Sequence, residues 1–229
     1  MIRKFDEFCL ALERCGFSMG GGNAKGIYAL IDYDWSNQDQ LDTPVKWHTG
    51  DPETDPWEWR MRVLEEREHI AYAKLFFKSS GYITRDWYPL FYAARRRGMT
   101  LEEGYQAGTV SRTAKRIYEI VSEGRVALHE IKALGGFTKE EKAQFDRAMV
   151  TLQTGMYITM TGRRQKKNRY GIEYGWNSTV FSTVEDFWQE RGFELPPLDP
   201  EESRLKIRQQ ILLLNPQAEE KTINKFISG

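Results

Sequence analysis

The densest chemistry in the chain is cationic. Arg163, Arg164, Lys166, Lys167 and Arg169 put five positive charges into seven residues with no acid among them. Each phosphate neutralised by such a cluster releases condensed counterions, so a projecting basic segment supplies affinity for a duplex without reading its sequence. The competing role is a solvated edge whose charges discourage strand-to-strand aggregation. A second basic set, Arg112, Lys115 and Arg116 in SRTAKRIYEIV, forms the polar face of an amphipathic helix. Trp47, Trp57 and Trp59 gather around DPWEWR and offer a candidate pocket whose rings could hold an extruded base. Asp39, Asp42 and Asp51 supply carboxylates, but in a polar loop carboxylates are ordinarily just solvated. Gly20, Gly21 and Gly22 suggest a phosphate loop, yet Lys25 leads into Gly26 and an apolar run instead of a helix, so a turn is the better reading. Cys9 and Cys15 stand about 240° apart on a helix and are expected to be reduced. His48, His69 and His129 have no metal-ligand spacing, and neither a metal nor a cofactor is expected.

The elements that must position these groups follow from periodicity. Phe5, Phe8, Cys9 and Leu12 predict a helix over 4–14 with Gly16 as its stop, and 27–31 reads as a strand. Residues 36–56 read as a long polar loop. In WEWRMRV the alternation fits a strand, while Asp55, Pro56 and Glu58 fit a helix start equally well. An apolar segment over 70–77 precedes a helix expected to be capped by Thr84 and closed by Arg95, Arg96 and Arg97; there the dipole favours cations, and a phosphate patch is the alternative. Ser111 caps the next helix, 126–134 gives another, and Thr138 with Glu141 opens a third that buries Phe145, Ala148, Met149 and Leu152. Strands over 156–161 and 170–176 flank a turn over 162–168 that holds most of the basic cluster.

Three helices followed by a β-hairpin is the order of a winged helix, and the basic cluster would be its wing. The third helix is a poor reader of bases, because Lys139, Lys142 and Arg147 are cancelled by Glu140, Glu141 and Asp146. Recognition through backbone or shape is the better expectation. An alternative framing takes 101–107 as the first helix and the more basic 112–121 as the reading one. The expected fold is α+β: a winged helix at 100–192, an additional α/β aromatic-rich N-terminal unit at 1–99, and a linker with a helical tail at 193–229. The tail's apolar residues, Leu205, Ile207, Ile211, Leu212 and Leu214, pack in cis or offer a homodimer contact.

Composition sets the bounds. The 229 residues are 40% hydrophobic and 29% charged, an ordinary globular balance, and 33 basic residues match 33 acidic ones. No global field therefore draws the chain to nucleic acid or membrane, and any such attraction must be local. No run approaches the ~18 apolar residues of a membrane span. The N-terminus carries acids inside its apolar stretch and no small-residue cleavage site, so a cytoplasmic protein is expected.

From Ser111 to Trp188, the SRTAKRIYEIV helix, the Gly135-Gly136-Phe137 turn, LQTGMYITM and RYGIEYGW resemble the winged-helix family that contains the AlkZ-type DNA glycosylases. With DPWEWR and GYITRDWYPLFYAARR, the whole chain resembles the short AlkZ-related proteins. The resemblance implies tandem winged-helix units on DNA, with the tail from Glu201 opening a further one. That family's catalytic element is a pair of glutamines around an apolar residue. The only Gln-x-Gln here is Gln38-Asp39-Gln40, with an acid in the middle, so catalysis is not carried over. The leading expectation is a non-catalytic DNA-binding protein. A glycosylase acting on alkylated bases is the first alternative and a protein-interaction module the second.

Overall fold

The computed structural model describes residues 2–23, 25–31 and 45–229. It is mixed α and β with two small antiparallel sheets, and it divides into one unit of Met1–Arg97 with Pro196–Gly229 and another of Gly98–Leu195. In the first unit, α1 (Phe5–Cys15) buries Phe5, Phe8, Cys9, Leu12 and Cys15 and stops at Gly16, whose φ of 90° is left-handed. Both cysteines are free and buried, and burial pushes each thiol up to about 11. β1 is Phe17–Met19; it follows α1 directly and displaces the strand expected over 27–31. That later segment runs beside β1 with a backbone bond from Met19 N to the Tyr28 carbonyl, but Leu30 N donates to the Ser18 hydroxyl, so a side chain replaces the next rung of a ladder.

The ambiguous WEWRMRV is helical. Pro56–Glu66 forms α2, because Asp55 caps it and Pro56 sits in its first turn, and only one face is buried. β2 (Ile70–Phe76) and β3 (Ser79–Thr84) complete a sheet of order β1-β3-β2 in which Tyr72 lies opposite Tyr82. Thr84 ends β3 instead of capping a helix; the next helix, α3 (Tyr88–Arg96), begins after Trp87 with Pro89 in its first turn. One face of the sheet presents Tyr82 to Phe8, which in turn meets Trp59 of α2. Phe17 on the other face packs against Phe91 of α3.

The second unit opens with α4 (Leu101–Gln106) and α5 (Arg112–Val121), the latter capped by the Ser111 hydroxyl. A two-residue strand, β4 (Val126–Ala127), stands where helix was expected, followed by α6 (Leu128–Leu134) and α7 (Lys142–Thr154). β5 (Ile158–Lys167) and β6 (Glu173–Thr183) form a hairpin, β4 joins β6 to give the order β4-β6-β5, and α8 (Val184–Gln189) closes the unit. Ile117, Val121, Ile131, Leu152, Phe187 and Trp188 are fully buried in its core.

The chain then returns to the first unit. α9 (Pro200–Leu214) packs on α3, and α10 (Glu220–Ser228) lays Phe226 flat on Phe76, ring centroids 3.9 Å apart. Ile207, Ile211, Ile223, Phe226 and Ile227 are all buried there. Of the tail residues that offered a homodimer contact, Ile207 and Ile211 are thus covered in cis while Leu205 is 58% exposed, and the tail belongs to this compact unit. Among the described residues no helix is long and apolar enough to cross a membrane.

Candidate functional site

The β5-β6 hairpin carries the basic cluster, but the cations sit on the strand and not in the turn. Strand pairing runs on to Lys167, and the reversal lies at 168–172, where Asn168 Oδ1 accepts the backbone N–H groups of Tyr170 and Ile172. Pleating therefore sorts the cations between two faces, with register shifts at Met160/Gly162 and Arg164/Lys166. Arg164 turns to α6 and pairs with Glu130 at 3.0 Å; burial raises this carboxyl, but the Ala127 backbone N–H and then Arg164 hold it below its usual range. Lys167 lies 3.9 Å from Glu173, and Arg169 lies over the Tyr170 ring. Arg163, Lys166, Lys167 and Arg169 are exposed.

The returning strand adds groups that the sequence reading passed over. Trp176 is 95% exposed, Tyr170 71% and Tyr174 52%. An exposed aromatic row is unusual unless something stacks on it. Its signal was the alternation of Tyr170, Ile172, Tyr174 and Trp176, which reads equally well as a core-facing strand. Lys166, Tyr174 and Trp176 share a shallow concavity of about 550 Å³ with His129 and Lys132 of α6.

The second basic set is committed inside the unit. Lys115 pairs with Glu102 at 2.6 Å, which raises its pKa, and lies over the Tyr105 ring. Arg116 bonds Glu141 at 3.1 Å and the Gly135 carbonyl, and covers the Phe137 ring. These two side chains tie α5 to α4 and α7, and of the three only Arg112 is exposed. On α7, Lys142 pairs with Asp146. The arginines closing α3 are also committed. Arg95 donates to the carbonyls of Ile227 and Phe226 at the end of α10, Arg96 is buried against Tyr92, and Arg97 pairs with Glu201.

In the first unit the structure separates the three tryptophans. Trp59 is core: it is fully buried, and its indole N–H donates to the Glu53 carbonyl at 3.2 Å. Trp47 and Trp57 line a cavity of about 270 Å³ together with Tyr72 and Tyr82. Asp55 sets that arrangement. Fully buried, its carboxylate accepts the backbone N–H groups of His48, Thr49, Gly50 and Trp57, and so knits the segment after Trp47 to the start of α2. The glycine cluster lines the same cavity. A Cβ at Gly20 would lie 2.8 Å from the Ser80 carbonyl oxygen, so the close approach to β3 requires glycine. Gln38-Asp39-Gln40 and the carboxylates Asp39 and Asp42 lie outside the described residues.

A family model described as AlkZ related matches residues 2–228. No curated protein matches the chain. Among solved structures, the Streptomyces sahachiroi DNA glycosylase AlkZ is similar at 11% identity with a TM-score of 0.40, over 76% of this chain and 50% of that one. The chain thus spans half the length of the structure it matches.

Proposed function

Because the chain belongs to the AlkZ-related family, we propose that it binds duplex DNA through the β5-β6 hairpin, as a winged helix that grips backbone and shape without excising bases. One observation carries this reading: the hairpin presents Arg163, Lys166, Lys167 and Arg169 beside the exposed rings of Tyr170, Tyr174 and Trp176. Cations neutralise phosphates, and rings or aliphatic wedges bear on bases where a groove is opened. The connectivity α5-β4-α6-α7-β5-β6 with sheet order β4-β6-β5 supports the winged-helix assignment. Shape recognition is favoured over base reading because α7 pairs Lys142 with Asp146 and engages Glu141 with Arg116, leaving a charge-balanced helix to enter a groove.

The test is fluorescence anisotropy of a labelled duplex of ~25 base pairs across a salt series. Three to four phosphate contacts give a log–log slope of about −3. Alanine at Arg163, Lys166, Lys167 and Arg169 flattens that slope, whereas alanine at Lys115 or Arg116 leaves it unchanged once folding is accounted for. Trp176→Ala weakens binding about tenfold without changing the slope, since stacking is worth ~1–3 kcal/mol per base and releases no counterions. Alkylated DNA incubated with the protein yields no abasic sites. A slope that survives removal of the four cations refutes this reading.

A further inference from the structure

The cavity of the first unit is not used by the hairpin and has a chemistry of its own. Two buried tyrosines from adjacent strands, Tyr72 and Tyr82, are among its lining residues, their rings 4.8 Å apart. Burial holds both hydroxyls above their ordinary pKa, so they remain neutral. Trp57 lies at the rim, and the Arg60 guanidinium rests 3.6 Å over its ring while Arg60 Nε donates to the Trp57 carbonyl at 2.8 Å. Arg60 lines the cavity together with both tyrosines. Lys25 adds a second cation, Ser79 adds a hydroxyl, and no carboxylate lines the cavity among the described residues.

These groups define a ligand. Four aromatic side chains and a guanidinium plane select a flat ring system, on which Arg stacks as well as an aromatic does. Two cations, with no carboxylate beside them among the described lining residues, select one anionic group beside that ring. The volume, about 270 Å³, falls just below the ~300–1,000 Å³ usual for ligand pockets and suits a single nucleotide better than a dinucleotide cofactor. We infer that the cavity binds a single nucleotide, the base against Trp57 and Arg60 and the phosphate at Arg60 and Lys25. The nucleotide is either free in solution or part of a strand; the recognising chemistry is the same, and it does not rest on the hairpin's role.

Calorimetric titration of the full chain with 5′-AMP, adenosine and inorganic phosphate tests the assignment. AMP saturates one site, and adenosine binds about tenfold more weakly, as loss of a charge-assisted contact requires. Lys25→Met, at a position outside the core, reduces AMP affinity about tenfold and leaves adenosine unchanged, whereas Arg60→Met, which removes both a stacking plane and a charge, weakens adenosine as well and AMP more. Trp57→Leu weakens both ligands. Competition by a short single-stranded oligonucleotide with the same Arg60 dependence assigns the site to a strand's nucleotide, and its absence assigns a free one. A protein lacking the four hairpin cations still binds AMP, which separates this site from the DNA surface. No saturation at ~10 mM AMP, far weaker than a built ligand site, would overturn the inference. So would equal affinity for adenosine, or displacement by phosphate alone at equal concentration.

Discussion

Asp55 shows what one buried carboxylate can organise. Four backbone N–H groups, from His48, Thr49, Gly50 and Trp57, converge on its two oxygens. Asp55→Ala removes a helix cap, worth ~0.5–2 kcal/mol, and strands part-buried donors at ~1–3 kcal/mol. The expected loss is about 3 kcal/mol, or roughly 10 °C in the melting temperature followed by circular dichroism. Asp55→Asn keeps one acceptor oxygen and loses about half as much. A loss under ~1 kcal/mol in the alanine variant would show that the 48–50 segment holds itself. The capping role was legible, since Asp55-Pro56-x-Glu58 is a helix start. The other three bonds were not, because their donors come from a turn without periodicity. The same limit applies to Trp59 and Trp176: residue type suggests chemistry for both, yet one is sealed in the core and the other stands in solvent.

At the scale of elements, three helix starts in the second unit repeat one device, one of them at α6, where Glu130 accepts the Ala127 backbone N–H. Glu103 accepts the Thr100 backbone N–H at the start of α4, and Glu141 accepts that of Thr138 ahead of α7. These last two backbone bonds are the first cause holding the Glu103 and Glu141 carboxyls below the ordinary glutamate range. A folded-state pKa below the unfolded one contributes stability that is present above the unfolded value and lost as pH falls through the folded one. The unit therefore weakens below pH ~4.5, where unfolded glutamates begin to take up protons. Glu103→Gln and Glu141→Gln reduce that slope while keeping a neutral acceptor. Urea unfolding between pH 5 and 3, followed at amide signals of α5 and α7, checks it, and an unchanged slope in the double variant would assign the acid response elsewhere. Helices such as α1, α5 and α7 were readable because their apolar faces recur at 3, 4 and 7 residues. The hairpin's extent was not. Glycines and cations suggest a turn at 162–168, but cross-strand pairing of Lys166 with Tyr174 carries the strands past them. β4 has only two residues, too few for any period to register.

At the scale of the molecule, chain order and compactness part company. Gly98–Leu195 is continuous, whereas the other unit needs both Met1–Arg97 and Pro196–Gly229. The second unit has 14 Lys and Arg against 13 Asp and Glu, so its attraction for a polyanion is the hairpin's local property and should survive excision. The fragment Gly98–Leu195, expressed alone, is expected to fold cooperatively and to bind the ~25-base-pair duplex with the parent's salt slope of about −3. The fragment Met1–Arg97 behaves differently. Without the tail it exposes the Phe76 ring that Phe226 covers and loses the burial of Ile207, Ile211, Ile223, Phe226 and Ile227. At ~1.5–3 kcal/mol per side chain this removes about 10 kcal/mol, comparable with the 5–15 kcal/mol that a whole domain retains. Arg95 also loses the carbonyls of Ile227 and Phe226. Unfolding of Met1–Arg97 alone, and its rescue when a peptide of 196–229 is added in trans, is the expected pair of results by circular dichroism. A stable Met1–Arg97 would mean that α9 and α10 are an appendage, and their buried face would return as a contact for another chain.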